Sequence, residues 1–119
     1  PDSVPAGRYA VQALKSLGLY DAVDKKLALG GNVRQVLQYV ESGSAPLGIV
    51  FLTDAMSVKA GSPVKRLYVF PDEALQTPVL YPAAVVAASK EKEAAARFIA
   101  FLGEKRARDV FAAAGFTVR

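Results

Sequence analysis

A chain of 119 residues, 52% hydrophobic and 22% charged, has the size and make-up of one globular domain. Fifteen Lys and Arg against eleven Asp and Glu leave a formal charge of +4, and there is neither His nor Cys. These absences exclude zinc sites built on His and Cys, Ser-His or Cys-His nucleophile pairs, and disulfide frameworks. No apolar run reaches the roughly 20 residues of a membrane-spanning helix; the longest uncharged stretch, Ala74 to Ser89, is interrupted by Pro78 and Pro82. Pro1 is not an initiator residue, so the sequence reads as a mature piece or a fragment.

Residues 6–19 have the spacing of an amphipathic helix. Tyr9, Ala13, Leu14 and Leu17 fall on one face, and Arg8, Gln12 and Lys15 on another. Pro5 suits the first turn and Gly18 the stop. Asp21 to Leu29 reads as a short helical turn leading into a loop at Gly30 and Gly31. Asn32 is then a helix N-cap, followed by Val33, Val36, Leu37 and Val40 at a 3.6-residue period, and Gly43 closes that helix.

The run Leu47 to Leu52 is short and apolar, the pattern of a strand buried on both faces. Thr53 and Asp54 cap a helical turn through Val58. Val64 to Phe70 is a second predicted strand. Val79 to Ala88 is a third, with Pro82 near its start. From Lys90 the period is helical again, with Ala94, Ala95, Phe98, Ile99, Phe101 and Leu102 on a broad apolar face. A last helix, about Glu104 to Ala114, ends at Gly115-Phe116. Tyr68, Phe70, Phe98, Phe101, Phe111 and Phe116 occupy core-type positions. Strands separated by helices predict an α/β layer structure.

Chemistry points to two helix starts. At Val4-Pro5-Ala6-Gly7 and at Gly30-Gly31-Asn32-Val33, small or uncharged residues precede a helix. First-turn N–H groups and the partial positive charge there hold an oxyanion without any charged side chain. Gly7 and Gly31 allow close approach to the backbone. The same pattern also fits ordinary helix entries whose N–H groups meet water. The carboxylate pairs Asp21/Asp24 and Asp72/Glu73 lie in polar turns and read as solvated surface. Asp54 reads as a cap. The late basic cluster of Lys90, Lys92, Arg97, Lys105, Arg106 and Arg108 is interleaved with Glu91, Glu93, Glu104 and Asp109. It carries no nucleic-acid signature and reads as a mixed, solvated helix face.

Several stretches resemble the second half of the periplasmic molybdate-binding proteins, the substrate-binding components of molybdate ABC transporters. They are Pro1 to Ala10, Asn32-Val33-Arg34, Ala45 to Val50 with Thr53-Asp54-Ala55, Tyr81 to Val86, and Phe111 to Phe116. The resemblance implies one lobe of a class II periplasmic-binding-protein fold, a mixed, mainly parallel sheet flanked by helices. Residues 1–80 would be the core of the second lobe. Residues 81–119 would be a crossing strand and C-terminal helices directed at a first lobe. It further implies a periplasmic, non-enzymatic protein that binds molybdate or tungstate without a cofactor and delivers it to a membrane permease.

By position, the backbone amides of Ala6 and Val33 would be the donors to the metal oxyanion, with Gly7 and Asn32 shaping the two helix starts. The family's tyrosine ligand is replaced by Phe51, which has no hydroxyl. Thr53, two residues on and on the same side of the expected strand, is a substitute, as is a bridging water. The first lobe and its serine ligands have no counterpart in the sequence, so a truncated half-site is expected. Such a chain would form a homodimer, swapped through the segment that begins near Pro78. Rival readings are a lobe for sulfate or an iron-carrying anion, and the effector domain of a transcription regulator. The Ala6 helix start and the tail Phe111 to Arg119 favour the transporter component.

Overall fold

The computed structural model describes residues 4–117, and their regular structure is helical. The helices are α1 (Pro5–Ser16), α2 (Tyr20–Val23), α3 (Val33–Glu41), α4 (Leu52–Met56), α5 (Lys92–Leu102) and α6 (Lys105–Ala113). Single 3₁₀ turns lie at Asp24–Lys26 and Asp72–Ala74. The chain divides into two compact units, the first ending at Pro78 and the second starting at Val79.

In the first unit, α1 begins with Pro5 at its first position, where a fixed φ and a missing N–H cost nothing. Past its C-cap Leu17 the chain turns away at Gly18, whose φ of 68° only glycine adopts readily. The predicted stripe buries Ala13 and Leu14 where α1 meets α2 and the 3₁₀ turn that holds the buried Ala74. Leu17 is exposed because the helix has already ended at Ser16. Helix α3 is capped as predicted: the Asn32 side chain accepts the Gln35 N–H at 3.0 Å. Two glycines lie hard against it. A Cβ on Gly30 would stand 2.8 Å from Val36 Cγ2; one on Gly48 would stand 2.9 Å from Val36 Cγ1 and 3.0 Å from Val40 Cγ2.

The predicted sheet is not formed: among the described residues no segment pairs as a strand. Residues 47–51, 64–70 and 79–86 run without regular structure. Leu47, Leu67, Val69, Leu80 and Val86 are half or more exposed. An apolar run records the faces a strand must bury. It says nothing of the neighbour that must take its N–H and C=O groups along the edges, and none of these segments serves another as that neighbour. The predicted strand through Leu52 also stops one residue early. Phe51 is the N-cap of α4, with φ −69° and ψ 153°, and Leu52 and Thr53 are the helix's first two residues. Thr53 therefore does not share a strand face with Phe51, because residues two apart at a helix start point to different sides.

In the second unit, α5 packs against α6, and Ala107 is buried. Beyond α6, Gly115 takes a φ of 95° and turns the chain back, so that the Phe116 N–H bonds the Phe111 carbonyl at 3.0 Å. The Phe116 ring then meets Phe111 edge-on at 5.7 Å and Tyr81 at 5.5 Å. Phe98 and Phe101, predicted as core, are 60% and 42% exposed, although their rings stack at 6.5 Å. Tyr68 of the first unit, also predicted as core, is exposed as well. One neighbouring helix covers one stripe, and that stripe is Ala95, Ile99 and Leu102. On α6 an exposed Lys105–Asp109 pair at 2.6 Å spans one turn of the mixed, solvated face.

Candidate anion-binding site

Of the backbone donors at the start of α1, most are already used. The Gly7 and Arg8 N–H groups both bond the Val4 carbonyl, at 3.0 and 3.2 Å, and Pro5 has none to give. The Ala6 N–H is left with no acceptor among the described residues. No acidic residue occupies the first turn, and among the described residues no side chain caps it. Among the described residues, the half-buried Ala6 thus leaves one N–H donor open at the positive end of a helix of 12 residues.

At α3 the sorting is done by side chains. Gln35 Oε1 accepts the Gly31 N–H at 2.7 Å, Asn32 Oδ1 accepts the Gln35 N–H, and the Asn32 carbonyl accepts the Val36 N–H at 3.3 Å. Among the described residues no acceptor meets the N–H groups of Val33 and Arg34, and this first turn also lacks an acidic residue. Asn32 acts as the expected cap. Gly7 is present as expected, but its N–H is committed to Val4. Gln35 was not read from the sequence. The signal was there: Asn32 followed three residues on by Gln is a capping-box spacing.

Both helices pack on one piece of chain, the segment from Leu47 to Phe51. It meets α3 at Gly48, which fits under Val36 and Val40, and it meets α1 at Phe51, whose ring lies edge-on to Tyr9 at 6.4 Å. Phe51 presents an apolar edge where a tyrosine would present a hydroxyl. Thr53 stands beyond it in the first turn of α4. The carboxylate pairs Asp21/Asp24 and Asp72/Glu73 are exposed. No group of acidic residues fit to hold a metal ion occurs among the described residues.

Residues 1–117 match the family described as bacterial extracellular solute-binding proteins. The chain belongs to that family. It is a family of solute binders, not of enzymes. The chain is 40% identical over 119 residues to the molybdate-binding protein ModA of Escherichia coli, and 39% identical to ModA of Haemophilus influenzae. It is also 39% identical to YvgL of Bacillus subtilis, a lipoprotein whose name places it provisionally among ABC transporter substrate-binding proteins. These matches take in 98–100% of the chain but only 44–45% of each relative. The chain thus spans less than half the length of the relatives it matches. No helix among the described residues is long and apolar enough to cross a membrane.

Proposed function

We propose that this chain is the second lobe of a periplasmic molybdate- or tungstate-binding protein that loads an ABC importer. The amides of Ala6 and Val33 donate to the oxyanion, Gly7 and Asn32 shape the two helix starts, and Phe51 borders the anion. The observation that carries this reading is the sorting of donors. In a chain 40% identical to a molybdate-binding protein, the Ala6 and Val33 N–H groups meet no acceptor among the described residues, while those of Gly7, Arg8, Gly31 and Gln35 around them are satisfied.

A site made of donors alone selects a fully deprotonated anion. Protonated phosphate brings a P–OH that finds no acceptor, and each unmet buried polar group costs about 1–3 kcal/mol. With Phe51 in place of tyrosine, the site lacks one hydroxyl donor, and a bridging water takes that place.

In the whole protein the segments 47–51, 64–70 and 79–88 become strands of a mixed, mainly parallel sheet. Residues 1–80 then form the lobe core, and residues 81–119 cross towards the first lobe. The chain alone forms a homodimer that covers its exposed apolar residues, Leu67, Leu80, Tyr81, Val86 and Phe98 among them. The test is calorimetry of the full-length protein with sodium molybdate, tungstate, sulfate and phosphate at pH 7. Stoichiometric binding of molybdate and tungstate with phosphate excluded supports the reading. Phosphate binding as tight as molybdate binding refutes it.

A further inference from the structure

The last residues of the first unit are held by two side chains of α1 and not by secondary structure. Tyr9 Oη donates to the Pro78 carbonyl at 3.4 Å, and Gln12 Oε1 accepts the Gln76 N–H at 3.2 Å. Residues 9 and 12 are one helical turn apart and share a stripe of α1. The 3₁₀ turn Asp72–Ala74, packed on α1 through Ala74, delivers the segment to that stripe. Pro78 is where the chain leaves the first unit. The helix that makes this clasp is the one whose first turn presents the Ala6 amide, and Tyr9 also touches Phe51.

We propose that Tyr9 and Gln12 are positioning residues that tie the exit of the chain at Pro78 to the anion-binding start of α1. This rests on the oxyanion reading of Ala6. A helix moves as a rigid body over three turns, so an anion that fixes the first turn also fixes Tyr9 and Gln12, and through them Gln76 and Pro78. By linkage the effect is reciprocal: a clasp tightened by the anion raises the affinity for the anion by the same factor, and such gains appear mostly as slower release.

Hydrogen exchange and stopped-flow release of molybdate, both on the full-length protein, test this. Tyr9→Phe removes the hydroxyl and keeps the ring against Phe51, and Gln12→Met removes the acceptor and keeps the side-chain length. Without anion, Gln12→Met should speed exchange of the Gln76 N–H about fivefold. In the wild type, molybdate should slow exchange over residues 76–81. In the double variant that slowing should vanish, and molybdate should leave about fivefold faster. A role confined to stability would leave the anion-dependent slowing in place, and that result overturns the proposal. So does unchanged exchange at Gln76 in Gln12→Met. A wild type that binds no molybdate defeats the oxyanion reading instead, and the anion-free exchange at Gln76 still decides whether the clasp exists.

Discussion

Replacing Val33 by proline isolates one backbone donor. Asn32, the residue before it, is extended, with φ −160° and ψ 168°, which is the conformation a following proline requires. Val33 is the first residue of α3, the helical position where proline is favoured, and its N–H has no acceptor among the described residues. Val33→Pro therefore leaves the helix and its Asn32–Gln35 cap in place and deletes only the hydrogen that the anion would accept. A hydrogen bond to a charged partner is worth about 1.5–3 kcal/mol, so the dissociation constant should rise roughly tenfold to hundredfold. The melting curve of the anion-free protein should shift little. Val33→Ala keeps the N–H and serves as the control, with wild-type affinity expected. Calorimetry of the full-length protein with molybdate reads all three. A Val33→Pro protein that melts like the wild type and binds molybdate equally well would show that this amide is not a ligand.

Two further outcomes follow from packing. Gly48→Ala puts a methyl 2.9 Å from Val36 Cγ1 and 3.0 Å from Val40 Cγ2, where carbon atoms need about 3.5–4.0 Å. Overpacking of this kind costs about 1–3 kcal/mol, read by urea unfolding. Adding Val36→Ala should recover part of the loss, and no recovery would contradict the contact. The isolated chain, with Leu67 75% and Val86 69% exposed, should elute as a dimer of the 12.6 kDa chain in light scattering coupled to gel filtration. A monomer mass at micromolar concentration would refute that.

The helices were legible because their signals are local. Val33, Val36, Leu37 and Val40 repeat at the helical period, Pro5 and Asn32 mark starts, and Gly18 and Gly115 mark stops by taking a positive φ. The strands were not, because Leu47 to Leu52 and Val64 to Phe70 encode burial but not the partner along each edge. Thr53 was misplaced for a local reason: the chain enters α4 at Leu52, one residue before the polar pair that looked like its cap. At the site, the two helix starts could be read, but not which donors stay free. That depends on where the Val4 carbonyl and the Gln35 side chain point. Tyr9 and Gln12 could not be assigned at all, since their partners lie 69 and 64 residues away in sequence.

The claim that two backbone amides hold the oxyanion is tested most directly by observing those amides. In the full-length protein labelled with nitrogen-15, saturating molybdate should move the Ala6 and Val33 amide protons downfield and slow their exchange with solvent. The Gly7 and Gly31 amides, already bonded to Val4 and Gln35, should gain no protection. Molybdate bound at saturation with the Ala6 and Val33 amides unshifted and unprotected would contradict the account.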